Sequence, residues 1–244
     1  MTLTKHISTT FALVMIAIMA ALAYATTWNN SPIYDETAHI GAGYSYLTKR
    51  DMRLNPEHPP LVKDLAALPL LFLDLNFPTD TDAWQNQLNG QWDQGGNFIF
   101  EFGNNPESIV RAARLPIVLF AVITALFLFF WARSMYGNKV ALLATFFFAF
   151  SPTVIAHSGF VTTDIAATLG FLAGIATFVR TLQKPTRKNL VLTRIVFGLA
   201  QLLKFSLFLL VPFYVLLAVV GVVSRGELRE SFSIAKRLFF HRTL

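Results

Sequence analysis

Apolar residues along the chain gather into long runs separated by short polar segments, with one long mixed stretch near the beginning. The first run is Phe11 to Ala25, preceded by Lys5 and His6. Later runs cover Leu115 to Trp131, Val140 to Ala156 (interrupted at Pro152), Ile165 to Val179, and a longer stretch from Leu190 to Ser224. The first four approach the ~20 residues that a membrane-spanning helix needs. As one helix the last stretch would rise about 52 Å, less than two full spans of ~30 Å with a turn. Either two short helices meet near Lys204, or one long helix crosses and leaves the tail on the other side. The short pair is the better reading, because it places Lys204 at a turn and not in hydrocarbon, where a lone ammonium is expensive. The pattern thus predicts an all-α fold, a polytopic transmembrane helical bundle of about six spans.

Composition agrees. Hydrophobic residues make up 54% of the 244 positions and charged residues 14%, a balance that cannot clothe a soluble surface. The same figures exclude a disordered chain, and the absence of cysteine excludes a disulfide scaffold. A net charge of +6 points to nucleic acid only until the charges are located. Eleven of the fourteen acidic residues lie between Asp35 and Glu107, while Arg133, Lys139, Arg180, Lys184, Arg187 and Lys188 fill short loops between later runs. Arg225, Arg229, Lys236, Arg237 and Arg242 load the tail. Lys and Arg accumulate in short cytoplasmic loops, so both ends are expected inside and the acidic stretch outside. Nucleic acid is not an expected partner; membrane lipid is.

Four regions follow: a first helix or signal anchor over 1–27, an extracytoplasmic loop over 28–110, a helical bundle over 111–224 and a basic cytoplasmic tail over 225–244. The first run also fits a cleavable signal peptide, by its length and by Ala23-Tyr24-Ala25. Roughly eighty residues is too long for a plain connector, so the loop is expected to carry function. Ser31-Pro32 reads as a helix start leading through Ile33 to Lys49. His58-Pro59-Pro60 reads as a second, leading into Leu61 to Leu75, whose length suits a helix lying in the membrane interface. Asn76 to Asn105 reads as an irregular lobe with Trp84 and Trp92 at the interface or packed within it.

Candidate chemistry concentrates on that outer side. Asp35 and Glu36 complement a helix dipole in the bland reading. In the sharper one they supply a general base near an apolar surface. His39, four residues after Asp35, shares its helix face, so a divalent metal is conceivable, although two ligands assign no metal site. Glu57 and His58 sit in a turn stiffened by tandem prolines, with Lys63 returning on the next helix. Arg111 and Arg114, at the outer end of a span, suit headgroup anchoring or a phosphate. Asp164 opens the fourth run, and Lys204 joins it by the topology argument. Carboxylates and cations gathered at a lipid boundary suggest chemistry on a lipid-linked phosphate ester.

These residues resemble a known family. Tyr34-Asp35-Glu36 followed by His58-Pro59-Pro60-Leu61-x-Lys63 is similar to the first outer loop of protein O-mannosyltransferases and their bacterial relatives, family 39 of the C-superfamily of membrane glycosyltransferases. Ala113-Arg114-Leu115-Pro116, Arg133-x-x-Tyr136-Gly137, Phe150-Ser151-Pro152, Thr163-Asp164 and Gly198-Leu199-Ala200 with Lys204 continue the match in order, from about Tyr34 to Phe213. The resemblance implies a transferase that moves a sugar from a polyprenyl-phosphate carrier to an acceptor hydroxyl on the extracytoplasmic face, inverting the anomeric centre. It implies that Asp35, the acidic residue of the first outer loop, deprotonates or positions the acceptor, and that basic residues hold the donor phosphate. Arg114 and Lys204 are the first candidates for that, with Lys63 and Arg111 beside them, and Glu36 joins Asp35 as a catalytic candidate. His58, Glu57, Asp164 and His39 would position acceptor or substrate. Eukaryotic members carry Asp where this chain has Glu57. The chain is expected to represent the N-terminal, catalytic portion of such an enzyme, in the cell membrane. No cofactor is assigned, and the acceptor, whether protein, lipid or polysaccharide, is left open. A non-catalytic or truncated membrane subunit is the alternative, and a lipid or solute transporter a weaker one, since no matching halves occur.

Overall fold

The computed structural model describes residues 5–224, so the basic tail expected over 225–244 lies outside the described residues. Every regular element among them is helical, and there is no strand. In chain order these are α1 (Lys5–Thr27), α2 (Tyr34–Lys49), α3 (Leu61–Ala67), α4 (Asp82–Gln85), α5 (Gln91–Gly96), α6 (Pro106–Ala149), α7 (Pro152–Ser158), α8 (Asp164–Gln183), α9 (Arg187–Gln201) and α10 (Leu210–Ser224). Short 3-10 turns occupy Leu68–Phe72 and Phe205–Leu209, and a π turn occupies Asn97–Glu101.

Four helical segments among the described residues are long and apolar enough to cross a membrane: Lys5–Thr27, Pro106–Ala149, Asp164–Gln183 and Phe205–Val223. The 44 residues of α6 would rise about 66 Å if straight, roughly twice a ~30 Å hydrocarbon core. They are not straight. Gly137 leaves helical geometry at φ 82 and ψ −179, a region open essentially to glycine alone, and α6 kinks there. α1 packs along α6, with Ala12 and Met19 buried against a face carrying Ala121, Ala125 and Phe129. Without a hydrophobic drive between helices in lipid, such close van der Waals contact is what holds spans together.

The segment between α1 and α6 folds over one end of this bundle. Its core and that of the bundle are continuous: Ile40, Tyr44, Val62, Leu70 and Phe98 join Ile109, Ala113, Ile117, Val161, Leu203 and Leu207 in one buried cluster. Gly95 lets α5 touch α2, since a Cβ there would lie 2.0 Å from the Thr37 carbonyl oxygen. Three local expectations need correction. α2 begins at Tyr34 and not at Ser31, because the Glu36 carboxylate accepts from the Ile33 N–H at 3.0 Å and takes over the capping role. α3 ends at Ala67 and tightens into a 3-10 turn, since Pro69 has no N–H to continue the α ladder. The lobe over 76–105 is less irregular than its composition suggests. Thr81 caps α4, and Trp84, Phe77, Phe98 and Tyr44 interlock at ring separations of 4.8 to 5.8 Å.

Candidate active site

Asp35 and Glu36 are adjacent on the first turn of α2, and successive helix residues point about 100° apart. That offset separates their environments. Asp35 is exposed, whereas Glu36 is wholly buried. Glu36 lies on the face of α2 that carries Ile40 and Gly43, and Arg114 on the face of α6 that carries Val110, Ile117 and Ala121. The two meet there. Arg114 donates from Nε to Glu36 Oε1 at 2.9 Å and from Nη2 to Oε2 at 2.7 Å, a bidentate pair with side-chain exposures of 1% and 0%. Its remaining N–H groups donate to the carbonyls of Thr27, Asn30 and Ser31, and its plane lies 5.0 Å from the Phe160 ring. Glu36 Oε1 also accepts from the Val161 N–H at 2.8 Å.

This clamp joins four pieces of chain: the end of α1, the start of α2, the start of α6 and the segment entering α8. Each charge is fully hydrogen-bonded, the condition under which a buried pair is tolerated. The sequence reading sent Arg114 toward a donor phosphate, but every guanidinium donor is spent inside the protein. Arg111 is similarly engaged. It pairs with Glu107 at 2.8 Å, donates to the Trp28 carbonyl at 3.0 Å and lies 4.2 Å over the Trp28 ring.

Lys63 and Arg114 are the largest wholly buried side chains described. Lys63 Nζ donates to the Tyr46 hydroxyl, to Asn55 O and Oδ1, and to the His58 carbonyl, at 2.7 to 3.1 Å. Burial lowers its pKa to about 8. Its place is to hold the His58-Pro59-Pro60 turn against α2. A polar chain continues outward: Asn55 to Gln91, Gln91 to Asn89 at 2.7 Å, and Asn89 to the exposed Glu57 at 2.9 Å.

The turn brings the His58 ring edge-on to His39, with ring centres 5.2 Å apart, and Nδ1 of each ring has no protein partner. Burial, then the charges of His58 and Lys63, lower the His39 pKa to about 3, with Asp164 opposing and Lys204 adding to the fall. His58 is also lowered, by burial first, then by Lys63 and Lys204, with Glu57 and Asp35 opposing. Between them the two imidazoles feel the charges of Asp35, Glu57, Lys63, Asp164 and Lys204. Among the described residues no group of three or more His, Asp or Glu side chains is placed to hold a metal ion.

Lys204 stands in extended conformation where the chain breaks between α9 and the following 3-10 turn. It donates to Asp164 Oδ1 at 2.6 Å, and His157 Nδ1 lies 3.4 Å from Oδ2. This pair stays partly open, with side-chain exposures of 27% and 43%. Beside Asp35, the Tyr34 ring stacks on Trp92 at 5.3 Å, and Trp92 lines an open groove of about 470 Å³ with Asp82, Asp93 and Glu101.

The structure thus assembles nine of the ten singled-out residues into or directly beneath one end of the bundle, with Arg111 beside them on α6. Sequence reasoning missed Tyr46, Asn55, Gln91, His157 and the Val161 amide. A signal for the clamp was present: one acid on an apolar helix face and one arginine on another demand a partner. Nothing in the spacing marked the backbone contacts.

A family model described as dolichyl-phosphate-mannose-protein mannosyltransferase matches residues 11–243. No curated protein and no solved structure matches the chain.

Proposed function

The chain belongs to the dolichyl-phosphate-mannose-protein mannosyltransferase family, membrane glycosyltransferases that use a lipid-phosphate sugar donor, and on that premise we propose how its residues divide the work. Asp35 is the general base. It takes the proton of an acceptor hydroxyl as that oxygen attacks the anomeric carbon of the polyprenyl-phosphate mannose donor. The bond from that carbon to the phosphate oxygen breaks, and the polyprenyl phosphate leaves with the electron pair. Lys204 faces the leaving phosphate, where a fixed cation stabilises the developing charge. Asp164 holds Lys204 until donor binds, and His58 and His39, both neutral at physiological pH, offer ring N–H donors to donor or acceptor.

Glu36, Arg114 and Lys63 are positioning residues. One observation carries this reading: the buried Glu36 carboxylate is gripped by Arg114 and also grips the Val161 amide. It is the immediate neighbour of Asp35, and Val161 is three residues before Asp164, so one clamp sets the distance between the two halves of the site.

The face and the number of crossings belong to the same proposal. The kink at Gly137 divides α6 between Arg133 and Lys139, and the break at Lys204 separates α9 from α10, which supports six crossings. Basic loops at 133–139 and 180–188 then lie in the cytoplasm, and the site on the extracytoplasmic face. α1 is buried along α6 as an integral span, which favours its retention over cleavage. A protein hydroxyl is the acceptor the family description suggests, and Trp92, which lines the open groove, stacks on the Tyr34 ring next to Asp35.

The test is Asp35→Asn in membranes supplied with polyprenyl-phosphate mannose. Transfer should fall by about 10²–10⁴-fold, the usual contribution of a general base, with thermal unfolding unchanged. Transfer at the unsubstituted rate would remove Asp35 from the chemistry.

A further inference from the structure

A second cavity lies at the other end of the bundle. It is a cleft of about 540 Å³ between α6, α8 and α9, walled by Phe130, Trp131, Val179 and Leu192, with Arg180 and Lys184 also lining it. Along α8, Arg180 lies sixteen residues from Asp164, about 24 Å of helix rise. Along α6, Trp131 lies seventeen residues from Arg114, about 26 Å. The cleft therefore opens near the opposite membrane surface from the site around Asp35, and it goes beyond the reaction proposed there.

Among the described residues its charges have no acid to answer them. Between Glu107 and Glu227 the sequence has Asp164 as its single acidic residue, and Asp164 is held by Lys204 at the far end. Among the described residues the side chains of Arg180 and Lys184 make no ion pair and no hydrogen bond. Three properties then coincide. The walls are apolar, and those from α6 and α8 belong to candidate membrane-spanning helices. A tryptophan marks the level of an interface. Two unpaired cations stand at that same level.

We infer that this cleft is a binding site for one anionic phospholipid of the leaflet opposite the catalytic site, its phosphate held by Arg180 and Lys184 and an acyl chain lying along Phe130, Val179 and Leu192. Apolar walls alone would take any lipid. The cations select a headgroup with net negative charge, because each basic residue near a membrane surface contributes on the order of 1 kcal/mol toward anionic lipid.

The experiment uses the purified full chain and native mass spectrometry, with phosphatidylglycerol and phosphatidylcholine offered in equal amounts. The unsubstituted protein should retain one phosphatidylglycerol in preference. The double substitution Arg180→Gln with Lys184→Gln should weaken that retention on the order of tenfold and leave phosphatidylcholine untouched. Arg187→Gln with Lys188→Gln, outside the cleft, should keep the preference. Equal loss in both double variants would mean surface charge and no site, and equal retention of the two lipids by the unsubstituted chain would also overturn the inference. Photoactivatable phosphatidylglycerol tests the unsubstituted chain directly: adducts should fall within 127–135 and 176–192, and adducts confined elsewhere would refute the assignment.

Discussion

Two acid–base pairs stand at the same end of the bundle and behave as opposites. Glu36 and Arg114 are dry, bidentate and saturated with further hydrogen bonds, whereas Asp164 and Lys204 meet through one contact at 2.6 Å with water at hand. A pair of the first kind cannot exchange partners without leaving a charge stranded in a low-dielectric interior. A pair of the second kind can, because water covers the transition and the interaction itself is worth little. Two pairs of the same charge types therefore divide into a fixed reference and an exchangeable contact, and burial alone makes the division. The consequence for function is that a cation seen in sequence beside a phosphate-handling motif is a candidate ligand only where it is not already spent.

The sharpest way to break this comparison is to strand Glu36. Arg114→Met should cost about 3–5 kcal/mol of stability, the range for removing one member of a buried pair. Replacing Glu36 and Arg114 together with Met should cost less than that single change, as read by thermal unfolding in detergent. If the single and double variants unfold alike, the clamp is not a coupled unit.

A pH-dependent effect comes from His39, an imidazole that feels the charges of Asp164 and Lys204. His39 has its pKa lowered to about 3 against an ordinary 6.5, so below pH 6.5 the unfolded chain takes up a proton that the folded chain refuses. Its contribution to stability is thus complete above pH 6.5 and declines as pH falls toward 3, with a limiting slope of about 1.4 kcal/mol per pH unit. His39→Gln should flatten the dependence of the unfolding midpoint on pH across that window. An unchanged slope would place His39 in a wetter site than the structure gives it.

The smallest effect on stability belongs to the exposed pair. Lys204→Gln should shift stability by less than about 1 kcal/mol, yet lower mannosyl transfer by about 10²–10³-fold if its charge meets the leaving phosphate. Asp164 would then lose a partner that water replaces. A large stability loss with intact transfer would reverse the roles given to the two pairs.

Much of the architecture could be read without coordinates. The apolar runs locate α1, α8 and the two halves of α6, and the interruption at Ser151-Pro152 separates α6 from α7 where it was expected. The break near Lys204 was also legible, because a lysine in the middle of an apolar stretch must find a turn or a partner, and here it finds both. The segment over 28–110 was less so. Pro69 ends α3 early, and the lobe after Asn76, polar in composition, hides an aromatic core of Phe77, Trp84 and Phe98 packed on Tyr44.

By itself the sequence determined what any chain of this composition must do: bury its apolar runs in a membrane, keep its acids and its basic loops apart, and gather carboxylates and imidazoles next to one another around Asp35 and His58. Those outcomes follow from local pattern and solvent preference, which short stretches of chain express on their own. Only the tertiary structure decided which cations are occupied. Arg114 and Glu36 lie 78 residues apart, and the carbonyls and amide that complete their bonding come from the end of α1 with the chain just after it and from the segment entering α8. Hydrogen bonds to backbone leave no mark on residue identity, so the division between a sealed charge and an available one emerges only when the chain closes around it.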